Sequence, residues 1–102
     1  MTRPTLERIP TTPGEVLSEE FLKPMGITQK EFADHLNVDI KVINRLINNK
    51  TTLSAEMALK IAASLETSAE FWLSLQYEVD LFNAKTKLTN TPQSLLKKKT
   101  NS

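Results

Sequence analysis

The 102-residue sequence predicts an all-α fold built from five helices. Three observations lead to this fold class. Five segments each begin with a Thr, Ser or Asp that can cap a helix. Apolar residues then recur at i, i+3 and i+4 spacing, which is typical of a helix with one buried side. No segment shows the alternation of apolar and polar residues that a half-buried strand requires.

The first two predicted helices begin at capping boxes, in which a Thr is followed three residues later by a Glu. Thr12-Pro13-Gly14-Glu15 opens the first helix, and Pro24 with Gly26 ends it. Thr28-Gln29-Lys30-Glu31 opens the second helix. The apolar residues predicted to face inward are Val16, Leu17, Phe21 and Leu22 in the first helix, and Phe32, Ala33 and Leu36 in the second.

Each of the other three helices also follows a capping residue. Asp39 is placed to cap the third helix, Ser54 the fourth, and Thr67 or Ser68 the fifth, which we expect to end at about Asn83. The predicted inward residues are Ile43, Leu46 and Ile47 in the third helix, and Ala58, Ile61, Ala62 and Leu65 in the fourth.

Composition divides the chain into a folded domain and two tails. We expect a flexible N-terminal arm over 1–11, one domain over 12–84 and a basic flexible tail over 85–102. The tail holds five of the 13 basic residues and none of the 12 acids, so residues 1–84 have 8 bases against 12 acids. Binding to nucleic acid must therefore depend on local clusters of charge.

The composition also indicates the cellular compartment of the protein. There is no cysteine, which excludes disulfide bonds and thiolate metal sites and fits a reducing environment. No apolar run approaches the roughly 20 residues that span a membrane, and residues 1–12 do not resemble a signal peptide. We expect a cytoplasmic protein with no membrane association.

A break in helical spacing at Asn37-Val38-Asp39 predicts a helix-turn-helix over about residues 29–46. Ala33 is small enough for the closest contact between the two helices, and Val38 can fill the space beneath the turn. Asn37 stands where this turn needs left-handed backbone, which Asn tolerates best after Gly. The fold is thus predicted to be a five-helix, repressor-like DNA-binding domain.

In a helix-turn-helix, the second helix enters the DNA major groove. Arg and Lys can bind guanine edges, Asn can bind adenine, and Ile or Val can pack on a thymine methyl group. Gln29, Asn49 and Lys50 are placed for phosphates. The alternative is a helical hairpin with a solvated outer side. The candidate DNA-binding residues are Gln29, Asp39, Ile40, Lys41, Val42, Asn44, Arg45, Asn48, Asn49 and Lys50.

Catalysis, a metal site and a cofactor are not expected. His35 is the only histidine and has no partner at the spacing of metal ligands. We expect Glu15, Glu19 and Glu20 to form a solvated side of the first helix. With two glycines, the chain has no phosphate-binding loop. We expect the Lys97-Lys98-Lys99 run to be a solvated tail, and the alternative is non-specific attraction to nucleic acid.

The fifth helix carries two apolar stripes, although a surface helix needs only one. The second stripe predicts a homodimer with a two-fold axis, since the same patch on both chains can be self-complementary. Coverage by the chain's own tail is the alternative. The predicted inner stripe is Phe71, Trp72, Leu75, Val79 and Phe82, and the predicted dimer stripe is Leu73, Tyr77 and Leu81.

Three stretches resemble the HigA/VapI family of antitoxins: "PGEVLSEEFLKPMGIT", "VINRLINNK" and "LSAEMALKIAASLETSAEFWLSLQYEVDL". Family members commonly have Asn-Gly where this chain has Asn48-Asn49. The resemblance covers about residues 13–82. It implies a homodimer that represses its own operon by binding double-stranded operator DNA. It also implies binding and neutralisation of a HigB-type toxin that cleaves messenger RNA at the ribosome.

Two other functions stay open on the sequence. The chain could be a phage- or plasmid-type repressor without a toxin partner. It could also be a toxin-binding module whose helix-turn-helix serves only as scaffold and does not bind DNA.

Overall fold

The computed structural model describes residues 9–96, which contain five main helices and no β-strand. Helix α1 covers residues 13–25, and Leu95 and Leu96, the last residues described, have helical conformation. The predicted all-α fold is confirmed. The other helices are α2, Gln29–Leu36; α3, Ile40–Ile47; α4, Ala55–Leu65; and α5, Ala69–Lys87.

The five N-termini form at the predicted capping residues. Thr28 and Glu31 make both hydrogen bonds of a capping box, with the Glu31 N–H donating to Thr28 Oγ1 over 3.0 Å and the Thr28 N–H donating to Glu31 Oε1 over 2.8 Å. The side chains of Thr12, Asp39, Ser54 and Ser68 each accept from a backbone N–H in the first turn of their helices. Local sequence therefore decides where each helix begins.

Helix α1 changes its winding in the middle. Its α-helical ends, Pro13–Val16 and Lys23–Met25, flank a π-helical segment, Leu17–Leu22. Pro24 has no N–H, and its ring clashes with the carbonyl four residues earlier in a regular helix. The wider winding fits this restriction, since the Lys23 N–H donates to the Ser18 carbonyl five residues back.

Four helices end in the same left-handed turn, with positive φ at Gly26 (69°), Asn37 (60°), Asn49 (59°) and Glu66 (56°). In each case the next residue donates its N–H to a carbonyl five positions back, as in the bond of 3.0 Å from Thr67 to Ala62. This pattern is the Schellman motif, which satisfies carbonyls left free at a helix end. Of these four positions, only Asn37 was predicted from the sequence to be left-handed.

The core is built from side chains of all five helices and from Leu53 in the loop between α3 and α4. Trp72 is fully buried, as predicted, and its indole N–H donates to Thr67 Oγ1 over 2.7 Å. All predicted inward residues of α2 are buried. The buried apolar residues are Val16, Leu17, Leu22, Phe32, Ala33, Leu36, Ile43, Leu46, Leu53, Ala58, Ile61, Ala62 and Trp72.

The predicted inner stripe of α5 was wrong in part. Phe71 is 40% exposed, whereas Leu73, assigned to the outward stripe, is half-buried and packs against the core. Gln76 is the buried neighbour of Trp72 on this helix. The buried side of α5 is therefore centred between Trp72 and Gln76. The pattern of apolar residues does not show this, because the inward-facing Gln76 is polar.

The C-terminal boundary also differs from the prediction. Helix α5 extends to Lys87 rather than to about Asn83, so Lys85 and Lys87 belong to its last turn and not to a flexible tail. Cations are favoured there because they interact with the negative end of the helix dipole. Residues 1–8 of the predicted arm and Lys97-Lys98-Lys99 lie outside the residues described. None of the helices within residues 9–96 is long and apolar enough to cross a membrane.

Candidate nucleic-acid interface

The turn of the helix-turn-helix has the predicted backbone geometry. Asn37 is left-handed, with φ 60° and ψ 47°, and its N–H donates to the Asp34 carbonyl over 3.1 Å. The Val38 N–H donates to the Ala33 carbonyl over 3.0 Å, while its side chain packs against the core. Only three residues therefore separate α2 from α3, and Asp39 caps α3 directly after the turn.

The inner side of α3 is fixed by the core. Ile43 is fully buried and Leu46 is 4% exposed, and Ala33 of α2 is also fully buried. The apolar residues in the first turn of α3 do not share this burial, since Ile40 is 43% and Val42 is 36% exposed. Helix α3 thus presents apolar side chains on both its inner and its outer sides.

The outer side of α3 also carries unpaired positive charge. Lys41, Arg45 and the following Lys50 are exposed. The ion pairs found within residues 9–96 join Lys23 to Glu19, Lys30 to Asp34 and Lys60 to Glu56. Lys41, Arg45 and Lys50 take part in none of them, so their charges are available to a ligand.

Gln29 and Asn44 are joined by a hydrogen bond that the sequence did not predict. Asn44 Nδ2 donates to Gln29 Oε1 over 3.2 Å, which links the first residue of α2 to the outer side of α3. This bond leaves the Gln29 amide nitrogen and the Asn44 amide oxygen for other partners. Gln29 is half-buried, so the pair is partly held in place by its surroundings.

The remaining candidate residues act on the helix ends. Asp39 Oδ1 accepts from the Lys41 N–H over 2.8 Å, and Asn48 Nδ2 donates to the Asn44 carbonyl over 3.0 Å. Asn49 is left-handed, and the Lys50 N–H donates to the Arg45 carbonyl over 2.8 Å. Asn49 therefore meets the conformational need that Gly meets elsewhere, and the turn it forms ends α3.

Gly14 holds the C-terminal end of α3 close to α1. A Cβ atom built on this buried glycine would lie 2.1 Å from the Leu46 carbonyl oxygen and 2.9 Å from Ile47 Cα. No side chain fits this gap without moving the backbone of α3. The sequence gives one indication of this close contact, because Gly14 lies in the first turn of a helix, where glycine is an unfavourable residue.

The candidate dimer residues are not equivalent. Tyr77 is 61% and Leu81 is 36% exposed, whereas Leu73 is half-buried against the core. The accessible part of the predicted stripe is therefore Tyr77 and Leu81.

Other chemistry is not supported by the described part of the chain. His35 is exposed, and residues 9–96 hold no group of three or more His, Asp or Glu side chains placed to bind a metal ion.

Comparisons with known proteins agree with this geometry. The model of the helix-turn-helix family matches residues 19–72, which is more than half of the chain. The antitoxin HigA-1 of Vibrio cholerae is 43% identical over 78% of this chain and 74% of its own length. The chain belongs to the HigA family of helix-turn-helix antitoxins and regulators.

Members of the HigA family and their relatives share the fold described above. The structure is similar to that of the Pseudomonas aeruginosa antitoxin HigA with the higBA promoter, with a TM-score of 0.74 and 31% identity, over 83% of this chain and 99% of that one. An uncharacterized HTH-type transcriptional regulator of Haemophilus influenzae is 38% identical over 76% of this chain and 73% of its own. The relatives named here are an antitoxin and a transcriptional regulator.

Proposed function

We propose that the chain is an autorepressor and antitoxin that inserts α3 into the major groove of its operator. The observation that carries the proposal is the outer side of α3. There, exposed Ile40 and Val42 lie beside Lys41 and Arg45, whose charges have no acidic partner within residues 9–96. Exposed apolar residues add nothing to the core, but they can pack on thymine methyl groups.

The other candidate residues have distinct roles in this proposal. Arg45 and Lys41 bind guanine edges or phosphates, and Asn44 binds an adenine. The amide nitrogen of Gln29 donates to a phosphate, and Asn49 and Lys50 follow the backbone beyond α3. Asp39 does not favour DNA by its charge. It acts by capping α3, because its carboxylate accepts from the Lys41 N–H.

A homodimer supplies the second half-site. One unit makes few contacts, and a two-fold dimer can place two copies of α3 about 34 Å apart, one turn of DNA. Tyr77 and Leu81 of α5 are the exposed apolar residues that we assign to this interface. The Pseudomonas aeruginosa relative with its promoter supports the DNA-binding part of the proposal.

Similarity to the antitoxin HigA-1 of Vibrio cholerae supports a toxin partner. We propose that this partner is a HigB-type toxin that cleaves messenger RNA. The second candidate is a transcriptional regulator without a toxin, which the relative from Haemophilus influenzae favours by its name. A neighbouring reading frame that encodes a small basic protein distinguishes the two. Both candidates place the protein in the cytoplasm.

Fluorescence anisotropy with the DNA upstream of the chain's own gene tests the DNA-binding part. We expect specific binding that weakens with salt, and a loss of about 1–3 kcal/mol for Arg45→Ala. Lys50→Ala should weaken all sequences similarly and lower the salt dependence. Lys60→Ala is the control, since Lys60 lies on α4 and is paired with Glu56 at 3.8 Å.

Two results would contradict this assignment. Equal affinity for upstream and scrambled DNA excludes specific recognition. Toxin binding without any DNA binding would identify the chain as a toxin-binding module with a helix-turn-helix scaffold.

A further inference from the structure

An open groove of about 410 Å³ lies on a part of the domain that α3 does not reach. The C-terminal end of α1, the loop that follows it, α2 and the C-terminal end of α4 form its walls. No residue of α3 or α5 lines it. The residues that matter are apolar Met25, Ile27, Phe32 and Leu65, with Glu31 and His35 at the polar side.

Two aromatic side chains outside this groove are also incompletely buried. Met25 is 56% exposed, and Phe21 precedes it by about one helical turn. The rings of Phe21 and Phe71 both pack on the buried ring of Trp72, with centroid distances of 5.5 and 5.2 Å. Phe71 is 40% exposed, so the residues from 9 to 96 leave part of a large aromatic side chain at the surface. Phe21, Met25, Leu65 and Phe71, with the groove, are called the Met25 surface below.

The Met25 surface is separate from the two surfaces already assigned. It shares no residue with the outer side of α3. On α5, Phe71 and Tyr77 lie about 120° apart, at about 100° of rotation per residue. A partner on the Met25 surface can therefore bind while α3 contacts DNA and Tyr77 contacts a second copy.

Acidic residues lie next in the sequence to three apolar residues of this surface. Glu20, Glu66 and Glu70 are the sequence neighbours of Phe21, Leu65 and Phe71, and all three are exposed. None of them forms an ion pair within residues 9–96, whereas nearby Lys23 is already paired with Glu19 at 2.7 Å. This charge disfavours nucleic acid and anionic membranes and favours a basic partner.

Neither a second copy of the chain nor the described C-terminal residues fit the Met25 surface. A second copy bound through the same patch would bring the three glutamates of each chain together across the two-fold axis. Leu95 and Leu96, near the C-terminus, are 74% and 76% exposed, so they do not fill the groove.

We infer that the Met25 surface is the docking site for a small basic protein, which inserts an aliphatic or aromatic side chain between Met25 and Leu65. Its cations then pair with Glu20, Glu66 and Glu70. This inference rests on the proposed function and assigns the toxin to a surface distinct from the DNA-binding one. It predicts that toxin and operator can be bound at the same time.

Calorimetry with the small basic protein encoded by the adjacent reading frame tests the inference. Met25→Glu and Phe71→Glu should each weaken this complex by about 30-fold, because each places a charge at the centre of an apolar contact. Glu70→Lys should weaken it more at low salt than at high salt. All variants should bind operator DNA as the wild type does.

Leu59→Glu is the matched control, since Leu59 is 63% exposed on α4 but does not line the groove. Met25→Gln, a neutral change, covers the case in which Met25→Glu does not fold. If the wild-type complex forms and the Met25 and Phe71 variants bind with wild-type affinity, this docking site is wrong while the antitoxin function stands. If the wild-type chain does not bind the basic protein at all, the antitoxin function and this inference both fail.

Discussion

The side chain of Gln76 holds the backbone of Leu53. Gln76 Oε1 accepts from the Leu53 N–H over 2.8 Å in a buried position, and Gln76 Nε2 donates to Asp80 Oδ1 over 2.9 Å. The bond connects α5 to the loop between α3 and α4, at a distance of 23 residues along the chain. Both ends of the Gln76 amide are therefore satisfied, which explains how a polar residue lies beside Trp72 in the core.

Replacing Gln76 should destabilise the fold, although polar residues usually contribute little to a core. In Gln76→Leu, the Leu53 N–H loses its acceptor in a buried site, so we expect a loss of about 1–3 kcal/mol in the free energy of unfolding. Urea denaturation followed by circular dichroism measures it. Gln93→Leu, at an exposed position, is the control and should have little effect. Equal stability of the two variants would show that the bond to Leu53 contributes nothing.

Gly14 should be sensitive to the addition of one methyl group. In Gly14→Ala the new Cβ meets the Leu46 carbonyl oxygen, so α3 must move, at a cost of about 1–3 kcal/mol. We expect weaker operator binding as well, measured by anisotropy at a temperature where the variant is folded.

Gly26→Ala is the comparison for Gly14→Ala. Gly26 has φ +69° but no neighbouring atom within 4 Å of a built Cβ, so its substitution strains the backbone without displacing α3. This variant should lose about 1–2 kcal/mol of stability and keep its DNA affinity. Normal operator affinity in Gly14→Ala would contradict the close approach of α1 and α3.

The bond between Gln29 and Asn44 predicts that the two residues act together on DNA. If Gln29 orients Asn44, the losses in binding free energy for Gln29→Ala and Asn44→Ala should not add, with a coupling of about 0.5 kcal/mol or more. A double-mutant cycle on the operator measures this coupling. Gln29→Ala with Lys50→Ala is the control pair and should be additive. Additivity in both pairs would mean that the two side chains contact DNA independently.

The exposed part of α5 predicts the oligomeric state. Tyr77→Glu with Leu81→Glu should give a folded monomer, because neither side chain is buried in the core. Leu73 is unsuitable for this purpose, since it packs against the core. The monomer should lose most specific DNA binding, as it forfeits the second half-site.

Sedimentation velocity decides this prediction about α5. Phe71→Glu is the control on another side of the same helix, and it should remain a dimer. A wild-type chain that sediments as a monomer at tens of micromolar would remove the dimer assignment.

Local sequence patterns were sufficient to predict the starts of the helices and the position of the turn. Thr12, Thr28, Asp39, Ser54 and Ser68 each cap the helix that the sequence assigned to them, because a cap is a hydrogen bond between residues two or three positions apart. Asn37 and the break beside it determine the turn in the same way. The outward residues of α3 then follow, once Ile43 and Leu46 are known to face inward.

Tertiary structure decided what depends on residues far apart in the chain. The orientation of α5 exposes Phe71 and turns Leu73 inward, and it is linked to the bond between Gln76 and Leu53. A pattern of apolar residues does not predict this orientation, because the buried amide that takes part in it is polar. The need for Gly14 exists only because α3 passes against it. Likewise, Met25 becomes part of a groove only when α1, α2 and α4 meet, since residues of all three helices line it.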